Sequence, residues 1–298
     1  MKKMFGNVLQ QWTEFTGQGQ ANLYDRHRAI VPPILIERMI TFLKEKYSQP
    51  LELAYDVGCG SGESSRVLTP YFKHVVGTDV NSEAIMEAEG KRGDQTCSQI
   101  EQAEGGWAHQ NLTYQICPAD LIPEKDNSVQ MISASQAAHW FDLPKFYNEG
   151  QRVLSPGGVM CLYGHKCPTW RWSEDPSLNG ELDQALTQLY ATDLKGYWAA
   201  ERDIVDNSYK NVTIPYTDFT RDDSCYHEME TNVSDLAKYC WIWTGHQNYV
   251  KQHGVRKGKK LIRKLQERVM SVLNVTTSPE ETILTKRTSF FLLMGRKL

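Results

Sequence analysis

The chain has 298 residues, with 33 Lys plus Arg against 36 Asp plus Glu, a formal charge of -3. That length can bury one large core or a core with a cap, and the slightly acidic balance gives no general attraction to nucleic acid or anionic lipid. No apolar stretch approaches the roughly 20 residues that span a bilayer, and seven cysteines without a Cys-x-x-Cys pair read as reduced thiols of a cytoplasmic protein.

In chain order, MKKMFGNVLQQ carries two lysines but no apolar core of a secretory leader. Leu35, Met39, Ile40, Phe42 and Leu43 recur near helical spacing, and Pro32 and Pro33 suit the start of a helix over 34–47. An apolar run over 51–57 predicts a strand, glycines follow, and 63–72 predicts a second helix. HVVGTDV ends a second strand at Asp79, after which Asn81 and Ser82 cap a helix through Glu89. The polar stretch 91–110 reads as a loop or a frayed extension of that helix. LTYQIC (112–117) and VQMISAS (129–135) are the third and fourth strands, Pro144 opens a helix to Leu154, SPGG (155–158) is a turn, and GVMCLYGH (158–165) is the fifth strand. Such alternation argues for a mostly parallel, doubly wound sheet.

Beyond His165 the pattern changes. Residues 166–224 set Trp170, Trp172 and Trp198 among polar residues and turns, which predicts a cap over a single domain whose core is 20–165 and 225–298. CYHEMETN (225–232) is the expected sixth strand, 235–250 and 251–273 are helices, and 282–297 is a long final strand.

The stretch LAYDVGCGSG (53–62) carries the most chemistry. A strand ending at Asp56 runs into Gly58, Gly60 and Gly62, where missing side chains let the backbone bend and a ligand lie against it. Ligands of open α/β sheets bind at this carboxyl edge. Asp79 ends the next strand about twenty residues on, where a carboxylate can accept hydrogen bonds from both hydroxyls of a ribose. Glu63 stands where a dinucleotide fingerprint has its third glycine, and no P-loop lysine follows, so an adenosine ligand without phosphates fits best.

This Asp-x-Gly-x-Gly-x-Gly pattern resembles motif I of class I S-adenosylmethionine-dependent methyltransferases. CPAD (117–120), SASQAAHWF (133–141) and RVLSPGGVM (152–160) are similar to later segments of that family in the same order. ANLYDRHRA (21–29), His-Trp-Phe at 139–141 and CWIWTGHQNY (240–249) resemble the small-molecule subgroup that includes trans-aconitate methyltransferases; Ala29 replaces that subgroup's proline, and Trp243-Thr244-Gly245 departs from its Trp-Ser. The resemblance implies a Rossmann-like, doubly wound α/β sheet of seven strands in the order 3-2-1-4-5-7-6, the last antiparallel, with a helical and aromatic cap. It implies S-adenosyl-L-methionine as cofactor, held by Tyr24, Arg28, Asp56, Gly58, Gly60, Gly62, Asp79, Val80, Ala119, Asp120 and Ser135.

His139, just past the fourth strand, is the candidate catalytic residue, since histidine titrates near neutral pH. The alternative is a structural ring bonded to backbone. Trp140, Phe141, Trp198, Trp243 and His246 are the candidate substrate contacts. No residue spacing resembles a metal site, and arsenic methylation is disfavoured because the cysteines are scattered. The expected partner is a small molecule, with no nucleic acid and no membrane. A carboxylate oxygen is the leading acceptor and a small amine the alternative; a cofactor-binding regulatory protein without turnover is the reading of a different class.

Overall fold

A computed structural model describes residues 29–91 and 110–298. Tyr24 and Arg28 lie outside the described residues. Helix α1 (Pro33–Lys44) leads into β1 (Leu53–Val57), α2 (Glu63–Arg66), β2 (His74–Asp79), α3 (Ser82–Lys91), β3 (Leu112–Ile116), β4 (Val129–Ser135), α4 (Leu143–Val153) and β5 (Leu154–His165). There follow β6 (Thr169–Arg171), α5 (Asn179–Thr187), α6 (Arg202–Asp206), β7 (Asp218–Asp222), β8 (Tyr226–Asn232), α7 (Val233–Trp241), α8 (Thr244–His253), α9 (Val255–Leu273) and β9 (Ile283–Arg296).

These elements form two compact units. The sheet unit holds Val31–Lys166, Glu201–Tyr226 and Ser289–Leu298, and the helical unit holds Cys167–Ala200 and His227–Thr288. The sequence-based boundary at 166–224 differs. Residues 201–226 go with the sheet because Val205, Tyr209, Ile214 and Tyr216 enter its apolar core. Residues 227–288 leave it because α7 and α9 bury Leu236, Trp241, Ile262, Leu265 and Val269 in a core of their own.

In the sheet unit, β1, β2 and β4 are buried along nearly their whole length, the pattern of parallel strands covered on both faces. β1 runs parallel to β2 and β4, β2 to β3, and β4 to β5. Residues 290–296 of β9 run antiparallel to β5, from Val159↔Arg296 to His165↔Phe290. β7 pairs with the same residues, Asp218↔Arg296 through Asp222↔Leu292. Counted within this unit, the order is 3-2-1-4-5-7-6 with the last strand antiparallel, as expected. The strand in sixth place is the polar DFTRD of β7; 226–232 is also a strand, β8, paired with β9.

Three helices are shorter than predicted. α2 stops at Arg66; Pro70 has no N–H to continue it, and Leu68 and Thr69 close tighter turns onto Ser65 and Arg66. The stretch 235–250 breaks where Trp243 turns to an extended backbone, φ -58 and ψ 134. Gly254, at φ 85, separates α8 from α9. SPGG is drawn into β5, with Gly157 at φ 84 and a register shift between Val129 and Met131 on the facing strand.

In the helical unit Asn232 caps α7, its side-chain oxygen accepting the Asp235 N–H at 2.8 Å. Asn232→Ala is expected to cost about 1 kcal/mol and to lower this unit's melting midpoint by roughly 4–8 °C, read by calorimetry.

Candidate active site

The bend after β1 is built from left-handed backbone. Gly58, Gly60 and Gly62 have φ of 71°, 54° and 84°, a region that costs a side chain-bearing residue about 1–2 kcal/mol. The Gly58 and Cys59 amides both donate to the Thr78 carbonyl of β2, at 2.7 and 2.9 Å, and Gly62 N–H closes onto Cys59 O at 2.9 Å. Space differs among the glycines. A Cβ on Gly58 would come within 2.5 Å of the Ala137 Cβ, and one on Gly62 would strike the Tyr114 phenol. Among the described residues, a Cβ on Gly60 would meet no atom within 4 Å. The middle of the bend is open.

Asp79 turns toward that opening. One carboxylate oxygen accepts Gly60 N–H at 3.0 Å, the other Asn81 N–H at 2.9 Å. It is half-buried. Val80 beside it is 69% exposed, and Ile116, which pairs with Asp79 across β2 and β3, is 63% exposed. Exposed apolar side chains at a sheet edge mark a surface that a ligand can cover. Asp120 is exposed and Ala119 half-buried in the turn after β3, and Ser135 is half-buried at the end of β4.

Asp56 has a different part. It is fully buried, and its oxygens accept Ser64 Oγ at 2.6 Å, Ser65 Oγ at 2.7 Å and Ser133 Oγ at 2.8 Å. Burial pushes its carboxyl up and the three hydroxyls pull it down. The expectation of a cofactor contact is therefore corrected: Asp56 ties β1 to α2 and β4, and holds the bend from below. The two serines follow Gly62 in sequence, and hydroxyls opening a helix were the signal that sequence reasoning passed over.

His139 sits in a single 3₁₀ turn, Ala138–Trp140. Its Nδ1 lies 2.7 Å from the Tyr209 hydroxyl, and its ring packs on Trp140 with centroids 4.9 Å apart. Burial, then the Arg202 charge, lower its pKa to about 4, with Glu201 opposing. The ring is neutral when folded and takes up a proton more readily when unfolded. Its contribution to stability is therefore full above about pH 6.5 and lost as pH falls toward 4. His139→Gln is expected to flatten that part of the melting-temperature profile between pH 6.5 and 4. An unchanged slope in the variant would contradict the assignment.

Trp140 is 61% exposed. Phe141 is half-buried, edge-on to Phe146 at 5.0 Å and against Gly58. In the helical unit Trp198 and Trp243 join one aromatic cluster with Tyr190, at centroid distances of 4.3 and 5.5 Å from it. His246 is fully buried there, its two ring nitrogens 3.0 Å from Trp241 O and 3.2 Å from Gly258 O. Both are taken up by backbone, which corrects the expectation of a substrate contact.

Sequence reasoning missed Tyr114, which fills the space under Gly62 and donates to its carbonyl at 3.3 Å, and Tyr209, which lies 70 residues from His139. Tyr114 was accessible in principle as an inward position of β3; nothing local marks Tyr209. Among the described residues no group of His, Cys, Asp and Glu could hold a metal ion, and no helix is long and apolar enough to cross a membrane. Burial pushes the Cys59 thiol in the bend upward, away from thiolate chemistry.

A glycine bend with an open centre, a facing carboxylate and an exposed apolar edge together fit a nucleoside that carries no phosphate. Residues 55–162 match the family model of the methyltransferase domain. A Dictyostelium discoideum protein that carries a methyltransferase name is 25% identical over 251 residues, 84% of this chain and 85% of that one. CRG1 of Saccharomyces cerevisiae, named as an S-adenosylmethionine-dependent methyltransferase, is 24% identical over 47% of this chain and 43% of its own. The solved structure of a protein named as a type II methyltransferase from Anaeromyxobacter dehalogenans covers 90% of this chain and 97% of its own, with a TM-score of 0.66 at 24% identity; it shows the fold. Fold and site define a Rossmann-like methyltransferase domain of class I. Over residues 55–162 the chain carries a methyltransferase domain, for which S-adenosyl-L-methionine is the cofactor.

Proposed function

We propose that the protein methylates a small molecule in the cytoplasm, and that the acceptor atom is a carboxylate oxygen. The observation that carries this reading is the half-buried ring of His139 just past β4, its Nδ1 2.7 Å from the Tyr209 hydroxyl, where burial and the Arg202 charge make it too weak a base to take a proton from an amine or hydroxyl. An amine or hydroxyl acceptor must lose a proton to become a nucleophile, whereas a carboxylate is already ionised at neutral pH. The net charge of -3 favours a small acceptor over a nucleic acid. The resemblance of the 139–141 stretch to the trans-aconitate subgroup supports the same choice.

Gly58, Gly60, Gly62 and Asp79 would hold the cofactor's nucleoside, with Val80, Ala119, Asp120 and Ser135 around it. When bound, the cofactor would supply an electrophilic methyl group on a sulfonium whose sulfur can leave with the bonding electrons, so an anionic oxygen could accept the methyl with no proton to lose. The chain's own task is to align the acceptor and exclude water, and such alignment supplies about 7–11 kcal/mol of barrier reduction. In the sheet unit, Trp140 and Phe141 are the candidates for gripping the acceptor's body. The exposed face of Trp140 favours one second reading, a small amine, since an indole face attracts a cation.

The test uses methyl-labelled S-adenosylmethionine and a metabolite extract, followed by mild alkaline hydrolysis of the product. Methyl esters release labelled methanol and N-methyl products do not. Alkali-stable label would overturn the carboxylate reading in favour of the amine. Binding without any labelled product would favour a regulatory protein without turnover.

A further inference from the structure

The Tyr209 hydroxyl meets His139 twice, 2.7 Å from Nδ1 and 3.3 Å from the backbone nitrogen. The backbone N–H can only donate, so it occupies one lone pair of the phenol oxygen. Tyr209 is 1% exposed, so bulk solvent does not take the phenol's hydrogen. Among the described residues, Nδ1 is the acceptor within reach. Were Nδ1 itself protonated, the oxygen would accept twice and the phenol's hydrogen would be buried without a partner, an arrangement folded proteins seldom carry. The assignment that uses every hydrogen has Tyr209 donating to Nδ1, which places the imidazole hydrogen on Nε2.

We propose that Tyr209 is a positioning residue that locks His139 in its neutral Nε2–H tautomer, and that His139 meets the methyl acceptor as a hydrogen-bond donor, not as a base. The donor role rests on the carboxylate reading; the tautomer does not. A donor at Nε2 suits an oxygen acceptor that is already an anion, because it orients one lone pair while another attacks. It does not suit an ammonium, which has no lone pair to offer until a base removes its proton.

The chain around Tyr209 is shaped to hold this contact. Ser208 and Tyr209 are consecutive non-glycine residues at φ 57° and 54°, and strained backbone of this kind persists where its surroundings hold it in place, often at functional sites. Arg221 supplies the hold: its guanidinium donates to Ser208 O at 2.7 Å and Tyr209 O at 3.4 Å, and pairs with Asp223 at 2.8 Å. The Tyr209 ring packs on Phe291 at 4.8 Å. The charged groups acting on His139 are Arg202 and Glu201, of opposite sign, and Trp140 lies against the ring.

The test is the ring-nitrogen NMR spectrum of the full chain labelled at histidine, with and without S-adenosylhomocysteine, at pH 5.5 to 8. His139 in the wild type is expected to show the neutral Nε2–H pattern throughout. In Tyr209→Phe, which keeps the ring and loses the hydroxyl, it is expected to show mixed tautomers and to titrate closer to the ordinary histidine range. An Nδ1–H or doubly protonated ring in the wild type at pH 7 overturns the proposal without any variant. So does an unchanged tautomer in Tyr209→Phe. Labelled-methyl transfer into the extract should fall about tenfold in Tyr209→Phe, the worth of one ordinary hydrogen bond, with calorimetric binding of S-adenosylhomocysteine retained. Transfer should survive better in His139→Gln, which keeps an N–H donor, than in His139→Ala. Equal transfer by wild type and His139→Ala overturns the donor role. Alkali-stable product overturns the carboxylate reading while the NMR result decides the tautomer separately.

Discussion

Gly62→Ala is expected to destabilise the sheet unit by about 2–5 kcal/mol, whereas Gly60→Ala costs only about 1–2 kcal/mol and acts instead on cofactor binding. Both glycines are left-handed, so both substitutions carry the same backbone term. They part on space. A methyl at 62 runs into the Tyr114 phenol, which is buried between β3 and the bend and donates to Gly62 O. Tyr114 cannot move without opening the core, so an overpacking cost of about 1–3 kcal/mol is added. A methyl at 60 meets nothing among the described residues and would occupy the hollow in which the nucleoside is proposed to lie. Urea unfolding and calorimetric binding of S-adenosylhomocysteine, measured on both variants, separate the two. Gly60→Ala should fold near normally and bind more than about tenfold more weakly, a loss of some 1.4 kcal/mol. If Gly60→Ala bound as the wild type does, the open centre of the bend would not be the cofactor site.

That contrast also marks how far the sequence could be read. Three glycines at alternate positions after an apolar run, with Asp79 ending the next, announced the bend and its acidic partner. The parallel strands were legible because burial on both faces leaves near-continuous apolar runs such as Val129–Ser135. What the glycines were for was legible only in general: the pattern is the same whether a Cβ would strike Tyr114 or enter open space. The sixth strand of the sheet was hidden because Asp218–Asp222 is an edge strand, half-buried and polar, with Arg221 and Asp222 engaged in ion pairs and turns.

The division into two compact units differs from the single domain with a cap at 166–224 for a related reason. Composition shifts at His165, and a cap starting there was a fair reading, but which helices share a core depends on long-range packing. The apolar positions of α7 and α9 fit each other, and those of 201–226 fit the sheet; neither preference leaves a local mark. The His139–Tyr209 pair is the extreme case. Histidine after the fourth strand drew attention as an acid–base group, yet its proton inventory is decided by one tyrosine far along the chain. The sequence placed the ring and left its chemistry open.

Asp79→Ala is expected to weaken the binding of S-adenosylmethionine by about 100-fold, close to 3 kcal/mol. The magnitude follows from two proposed hydrogen bonds from ribose hydroxyls to a charged oxygen pair, each worth about 1.5–3 kcal/mol, less what water recovers in the free protein. Asp79 also accepts Gly60 N–H and Asn81 N–H, so part of the loss could come from a loosened bend. Asp79→Asn separates the terms. It keeps one acceptor oxygen to hold a backbone amide, but it loses the charge and turns an N–H₂ donor toward groups that also donate. A ribose contact therefore predicts that Asn recovers little of the lost affinity, while its melting midpoint falls between those of Asp79→Ala and the wild type, because one of the two backbone amides keeps its acceptor. It also predicts an equal loss for S-adenosylmethionine and S-adenosylhomocysteine, because the two share the ribose and differ only at sulfur. A loss confined to the sulfonium form would place Asp79 opposite the charge of the sulfur, and wild-type affinity in Asp79→Ala would remove it from the site.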